Sequence, residues 1–350
     1  MSAVDFGSRT VVWRRGRFSV RFRMRTALVC AALALATAAV AILALCIGDL
    51  PLSPVDVVAA LLGSQDGLAH VVVFEWRLPR VLSAVVFGAA LGVSGAIFQS
   101  LTRNPLASPD VIGLSAGSYA GGLLMIIVFG VGAGSVPVAG GAIIGGLLAA
   151  AAVYMLAYRN GMHGFRLIIV GIGVSAMLEA LGVYLILRAK LEVAMIASVW
   201  GMGSLNPVGW AQFVPAFVVV AAVFVCLSSL VQPMRQLELG DDAARSLGSR
   251  VEPARLWLVV CAVALTAVVT AAAGPIAFIS LAVPQIAQRL TRTAGVALVP
   301  SAFVGALVLT MSDVVAQHAL PGNLPVGIVT VVVGGGYLVW LLIHEVRRRR

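Results

Sequence analysis

Few residues in this chain have the type and spacing that reactive chemistry needs. The 350 residues hold one lysine, Lys190, and it lies outside any GxxxxGK[ST] context. A phosphate-cradling loop requires that lysine, so the chain has no Walker route to ATP. No HExxH occurs, and His70, His163, His318 and His344 are scattered. Cys30, Cys46, Cys226 and Cys261 lie in apolar runs without paired spacing, which supports neither a disulfide framework nor a zinc knuckle. No nucleophile–base pair stands out. The expectation is a protein that is not an enzyme and holds no cofactor or metal. Uphill work would then draw on another chain or an ion gradient.

The ionisable residues that stand apart are isolated or sit at edges. Glu179 falls inside an apolar run. A carboxylate there suggests function, with a protonated or hydrogen-bonded glutamate facing the bundle as the equal alternative. Asp313, near the outer end of a later run, reads as a local hydrogen-bonding residue. Gly240-Asp241-Asp242-Ala243-Ala244-Arg245-Ser246-Leu247-Gly248 has acids at a helix start and glycine past its end. A short helix there, within the polar stretch 232–253, is either a docking surface or a compact surface loop.

The elements that carry these residues follow from composition. Hydrophobic residues make up 61%, charged residues 11%, and the mean hydropathy is +1.04. A soluble domain has about 25% charged residues, so most of this chain belongs in a bilayer, and disorder is excluded. Crossing the apolar core takes about 20 residues. Ten segments qualify: 26–47, 81–101, 110–130, 136–157, 166–188, 209–231, 254–274, a short 276–290, 297–317 and 326–344. Residues 56–68 read as an external helix or loop.

Ten spans with a cytoplasmic N-terminus place 20 of the 24 Lys and Arg residues inside. That bias supports both termini in the cytoplasm. Arg77, Arg80, Arg188 and Lys190 remain outside as exceptions. The net charge of +10 lies in membrane flanks, where it meets anionic lipid rather than nucleic acid. The domain reading is a basic segment 1–25, one transmembrane unit 26–345 and a basic tail 346–350.

Gly88, Gly92 and Gly95 recur on neighbouring helical turns, as do Gly141 and Gly145. Small residues at this spacing let helices pack closely in lipid. Gln99, Arg103, Asn104, Pro105, Pro109 and Asp110 form a turn in which proline stops one helix and Asn or Asp caps the next. A structural elbow is the preferred reading and contact with a cytoplasmic partner the alternative.

The segment RLPRVLSAVVFGAALGVSGAIFQSLTRNPLASPDVIG, starting at Arg77, resembles the first characteristic block of the iron–siderophore and vitamin B12 permease family of ABC importers. GDDAARSLG resembles that family's cytoplasmic coupling loop. GPIAFISLAVPQIAQRL, at 274–290, and LPVGIVTVVVGGGYLVWLL, at 324–342, resemble its later blocks. The detail looks most like permeases for ferric catecholate siderophores of the enterobactin type.

The resemblance implies an all-α permease subunit that carries a ferric siderophore across the cytoplasmic membrane. Its implied partners are a second permease, cytoplasmic ATPase subunits and an extracytoplasmic binding protein. Gly240, Asp241, Asp242, Ala243, Leu247 and Gly248 would engage the ATPase. Arg77 and Arg80 would pair with glutamates of the binding protein, with lipid-headgroup anchoring as the alternative. Gln285, Ser280, Asn323 and Gln317 depart from the family pattern, and Gln317 puts a third outer contact in doubt. A vitamin B12 or haem importer is the alternative cargo reading, and an ion-driven secondary transporter the alternative class.

Overall fold

No water reaches a bilayer core, so each backbone amide there must be satisfied within its own segment. The computed structural model answers this with helices. It describes residues 10–15, 18–48, 50–62, 67–110, 113–157, 164–293, 295, 297–319 and 324–348. Expectations placed on Arg9, Arg17, Arg159, His163, Asn323, Arg349 and Arg350 lie outside these.

The chain begins with strands β1 (Thr10–Arg15) and β2 (Phe18–Arg23), paired antiparallel with Thr10 opposite Arg23. The basic N-terminal segment thus contains a hairpin that its charge pattern did not announce. Helix α1 (Met24–Cys46) crosses outward. Outside it, α2 (Pro54–Leu61) is started by a reciprocal cap: Ser53 Oγ accepts from Asp56 N at 3.2 Å, and Asp56 Oδ2 accepts from Ser53 N at 3.1 Å.

Next, α3 (Leu68–Val71), a π-helical stretch Val72–Arg77 and α4 (Leu78–Thr102) run together as one 35-residue rod. Helix α5 (Leu114–Leu123), prolonged by a π-helical turn to Val128, is followed by α6 (Val136–Ala157), α7 (Gly164–Arg188) and α8 (Leu191–Gly201). Helices α9 (Trp210–Glu238), α10 (Asp241–Ser246) and α11 (Val251–Ala273) follow. The chain closes with α12 (Ile279–Thr291), α13 (Leu298–His318) and α14 (Val326–Arg348).

All ten expected spans have a helical counterpart, with shifted bounds. The 276–290 span begins only at Ile279, because residues 274–278 run without helix around Gly274 and Pro275. At 13 residues, α12 rises about 20 Å, short of the roughly 30 Å core. The 110–130 span likewise begins at Leu114. An eleven-residue helix, α8, was missed altogether, because its charged flanks and short length masked an apolar run.

Helix α4 sits at the centre, and its glycines explain why. A Cβ on Gly88 would overlap the Gly305 carbonyl of α13. One on Gly92 would strike the Ser301 carbonyl, and one on Gly95 the Ser280 carbonyl of α12. Gly141 and Gly145 of α6 interlock in the same way with Gly117 and Gly121 of α5. Phe87, Leu91, Ile97 and Phe98 of α4 are fully buried among them. Overpacking such a contact costs about 1–3 kcal/mol or more. Gly88→Val is therefore expected to lower membrane abundance and the midpoint of thermal unfolding in detergent, whereas Gly140→Val, at a position with open space around it, should change neither.

Candidate functional site: the two polar ends of the bundle

At the outer end, Arg80 reaches across from α4 to α13. Its Nε donates to Asp313 Oδ2 at 3.0 Å and its Nη2 to Asp313 Oδ1 at 2.8 Å. Gln317 Nε2 donates to the same carboxylate at 2.7 Å. The Arg80 side chain is 16% exposed and that of Asp313 2%. The pair holds the outer ends of the two glycine-packed helices together. Asp313, expected to bond locally, makes that contact to Gln317 and a long-range one as well.

Arg77 stands at the end of the π-helical stretch, donating to Leu45 O and Leu50 O at 2.7 Å each. It thus caps the C-terminal end of α1, whose last carbonyls lack intrahelical partners. Both arginines expected to face a docking protein are committed within the chain. The rule that basic residues stay inside is broken here because these two guanidiniums have internal acceptors. Gln317, which departs from the family pattern, serves this clasp. On the stretch leading into α4, Phe74 packs on both His70 and Trp210 of α9, and Trp76 is exposed. Aromatic rings of this kind mark a membrane–water boundary.

At the cytoplasmic end, α9 has 29 residues, about 44 Å of helix. That exceeds the bilayer core and carries its end clear of the membrane. There α10 is held between α9 and α11. Gly240 at φ +115° and Gly248 at φ +84° bracket it in conformations that disfavour other residues. The C-terminus closes with Gly248 N–H to Arg245 O at 2.9 Å and Ser249 N–H to Ala244 O at 3.0 Å, a Schellman arrangement.

The two acids of α10 have different tasks. Asp241 accepts two bonds from Arg255 Nη2 of α11, at 2.9 and 2.8 Å, and lies 3.5 Å from Arg103 at the end of α4. Arg103, in a left-handed conformation at φ +51°, also donates to Leu237 O at 3.0 Å. The Asp242 side chain is fully exposed and pairs with Arg245, one helical turn on. Ala244 is buried, Ala243 half-buried, and Leu239 and Leu247 stand 68% and 56% exposed. The result is a short helix tied to α4 and α11 through Asp241, carrying the exposed acid Asp242 and flanked in sequence by the exposed Leu239 and Leu247. Nearby, Gln99 links α4 to α12, donating to Leu281 O at 2.9 Å and accepting from Gln285 Nε2 at 2.7 Å. The elbow is held from within: Asn104 Oδ1 accepts from Leu106 N–H at 2.9 Å, and Asp110 Oδ1 from Ser115 Oγ at 2.6 Å.

Glu179 is not gathered into either cluster. It lies on the exposed face of α7, beside the exposed Met177 and Val183.

The chain is similar to known proteins along most of its length. The pattern of the FecCD transport family matches residues 26–344. The ferric enterobactin transport system permease protein FepG of Escherichia coli is 48% identical over 303 residues, covering 86% of this chain and 91% of that one. The achromobactin transport system permease protein CbrC of Dickeya dadantii is 36% identical over 341 residues, covering 96% and 97%. Among solved structures, an inward-facing metal-chelate-type ABC transporter superposes with a TM-score of 0.80 at 28% identity, covering 91% of this chain and 99% of that one.

Two outcomes follow from the geometry. Arg80→Glu leaves Asp313 buried without its partner, a loss of about 3–5 kcal/mol. Thermal unfolding should show that loss, and the exchange Arg80→Asp with Asp313→Arg should recover part of it. At Asp241, partial burial raises the carboxyl, but Arg255, then Arg103 and Arg245, outweigh it and hold the group below its ordinary value. A depressed carboxyl stabilises above its unfolded pKa and loses that contribution as pH falls through the folded one. Stability should therefore show no Asp241-dependent change between pH 5 and 8, and a loss absent from Asp241→Asn only below about pH 4.

Proposed function

This chain belongs to the FecCD transport family, and from that premise we propose that it is the membrane-spanning permease subunit of an ABC importer for a ferric siderophore. The observation that carries the proposal is α10, fixed to α4 and α11 through Asp241 yet presenting Leu239, Asp242 and Leu247 to the cytoplasm. Exposed leucines rimmed by charge suit a protein partner. The chain has no Walker lysine of its own, so a separate ATPase seated on α10 supplies the energy. Its closure would pull on α4 through Arg103 and on α11 through Arg255.

The cargo class rests on the relatives. The relatives from Escherichia coli and Dickeya dadantii belong to ferric enterobactin and achromobactin transport systems, and the 48% identity to the enterobactin permease favours a catecholate over vitamin B12 or haem. A large chelate would pass intact, without bare metal being bound. An extracytoplasmic binding protein would deliver it from outside. Its docking at Arg77 and Arg80 draws only on the parts of those guanidiniums left open to solvent, since both serve first as internal ties.

A second permease is the remaining partner. Glu179 supports it: a carboxylate facing hydrocarbon at mid-span costs several kcal/mol, so the α7 face carrying it would lie against the second permease or a water-filled path. An ion-driven transporter would place that carboxylate at a coupling site, but no second intramembrane acid stands near it in the sequence to form a relay.

The test is uptake into proteoliposomes holding the permease pair, the ATPase and the binding protein. Asp242→Arg with Leu247→Asp should leave folding intact and cut ATP-driven uptake at least about tenfold, the loss of one central interface contact. Uptake that persists without the ATPase and collapses with an uncoupler would show the proposal to be wrong.

A further inference from the structure

Four basic residues lie outside, and two of them remain to be accounted for. Arg188 ends α7 and Lys190 immediately precedes α8; both are exposed. Arg188 lies 5.6 Å over the ring of Tyr184, which holds its guanidinium in place. No described carboxylate forms an ion pair with either residue. Glu192, in the first turn of α8, offsets only part of their charge.

Helix α8 leads from these cations to a cavity of about 760 Å³ at the same end of the bundle. Its wall includes Met195, Val199, Trp200, Met202, Ser204 and Asn206. From Lys190 to Met195 is about 7.5 Å along the helix. The volume lies within the range of small-molecule sites, which are mostly apolar with a few placed polar groups. Trp200 Nε1 is buried in this wall and has no acceptor. Thioether and indole surfaces suit aromatic rings.

We propose that this cavity, with Arg188 and Lys190 at the head of the helix that forms part of its wall, is an acceptance site for an anionic, aromatic-ringed ferric chelate entering the permease. The proposal rests on the functional reading above. Ferric catecholates match it on both counts: deprotonated catechols outweigh the charge of ferric iron, and their rings are flat and polarisable. The two exposed cations attract the complex from solution, and the apolar wall receives the rings. The site is apolar and lightly charged, so its hold is weak enough for the chelate to move on.

The test is equilibrium binding of ferric enterobactin to the permease–ATPase complex in zwitterionic nanodiscs, with no binding protein present. Wild type should bind saturably. Arg188→Gln with Lys190→Gln should weaken binding by about three- to tenfold, and the difference should shrink in high salt. Val199→Trp, which fills the cavity from an exposed position, should abolish binding. A neutral ferric trihydroxamate should not respond to the charge variant. Absence of saturable binding to wild type, or equal binding by the charge variant, overturns the proposal. So does a charge variant that loses only its association with the binding protein, since the cations would then serve docking. Import by the full wild-type system without nanodisc binding sinks the acceptance site alone. No import of any ferric siderophore sinks the functional reading.

Discussion

Close backbone contact along α4 is the constraint from which the other arrangements follow. In a bilayer, apolar side chains gain little by leaving lipid for protein, so packing depends on shape and on polar contacts. Gly88, Gly92 and Gly95 let α4 lie against the carbonyls of α12 and α13. Such contact tolerates no added side chain, which fixes rotation and height of the helices together. Polar residues can then be placed at both ends with little slack. Arg80 meets Asp313 at the outer end, and Arg103 meets Leu237 O and Asp241 at the inner one.

That rod connects the two polar ends. Asp241 ties α10 to Arg103 at the foot of α4 and to Arg255 near the start of α11, while Arg80 clasps the far end of α4 to α13. Burial is uneven among the helices: the rod ending in α4 and helix α11 have 78% and 72% of their apolar windows buried within the chain, whereas α1, α7 and α9 have 17% each.

The charge exceptions show how local geometry changes the meaning of a residue type. Four basic residues sit outside against the general bias. Arg77 and Arg80 have internal acceptors and serve cohesion, whereas Arg188 and Lys190 face solvent. One residue type at one membrane face therefore divides into structural ties and presented charge. Spacing along the chain cannot draw that line, because the acceptors Leu45, Leu50 and Asp313 come from distant segments.

Much of the architecture was legible in the sequence, since apolar runs of membrane length, a strong inside bias of arginine and a glycine stripe act locally or along a single helix. The ten spans, the cytoplasmic helix with glycine at both ends and the packing role of Gly88, Gly92 and Gly95 all came from such signals. The split between Asp241 and Asp242 did not: the residues are adjacent and alike, and only the approach of Arg255 and Arg103 separates a half-buried tie from a fully exposed acid. Helix α8 and the cavity beside it were also hidden, because a short helix between charged flanks has no period or length to identify it. The sequence by itself determined what must lie in the membrane and which way it faces, since those depend on hydropathy and charge along the chain. Only the tertiary structure decided which charges are satisfied within the protein, since that depends on partners brought together from 14 to 233 residues apart.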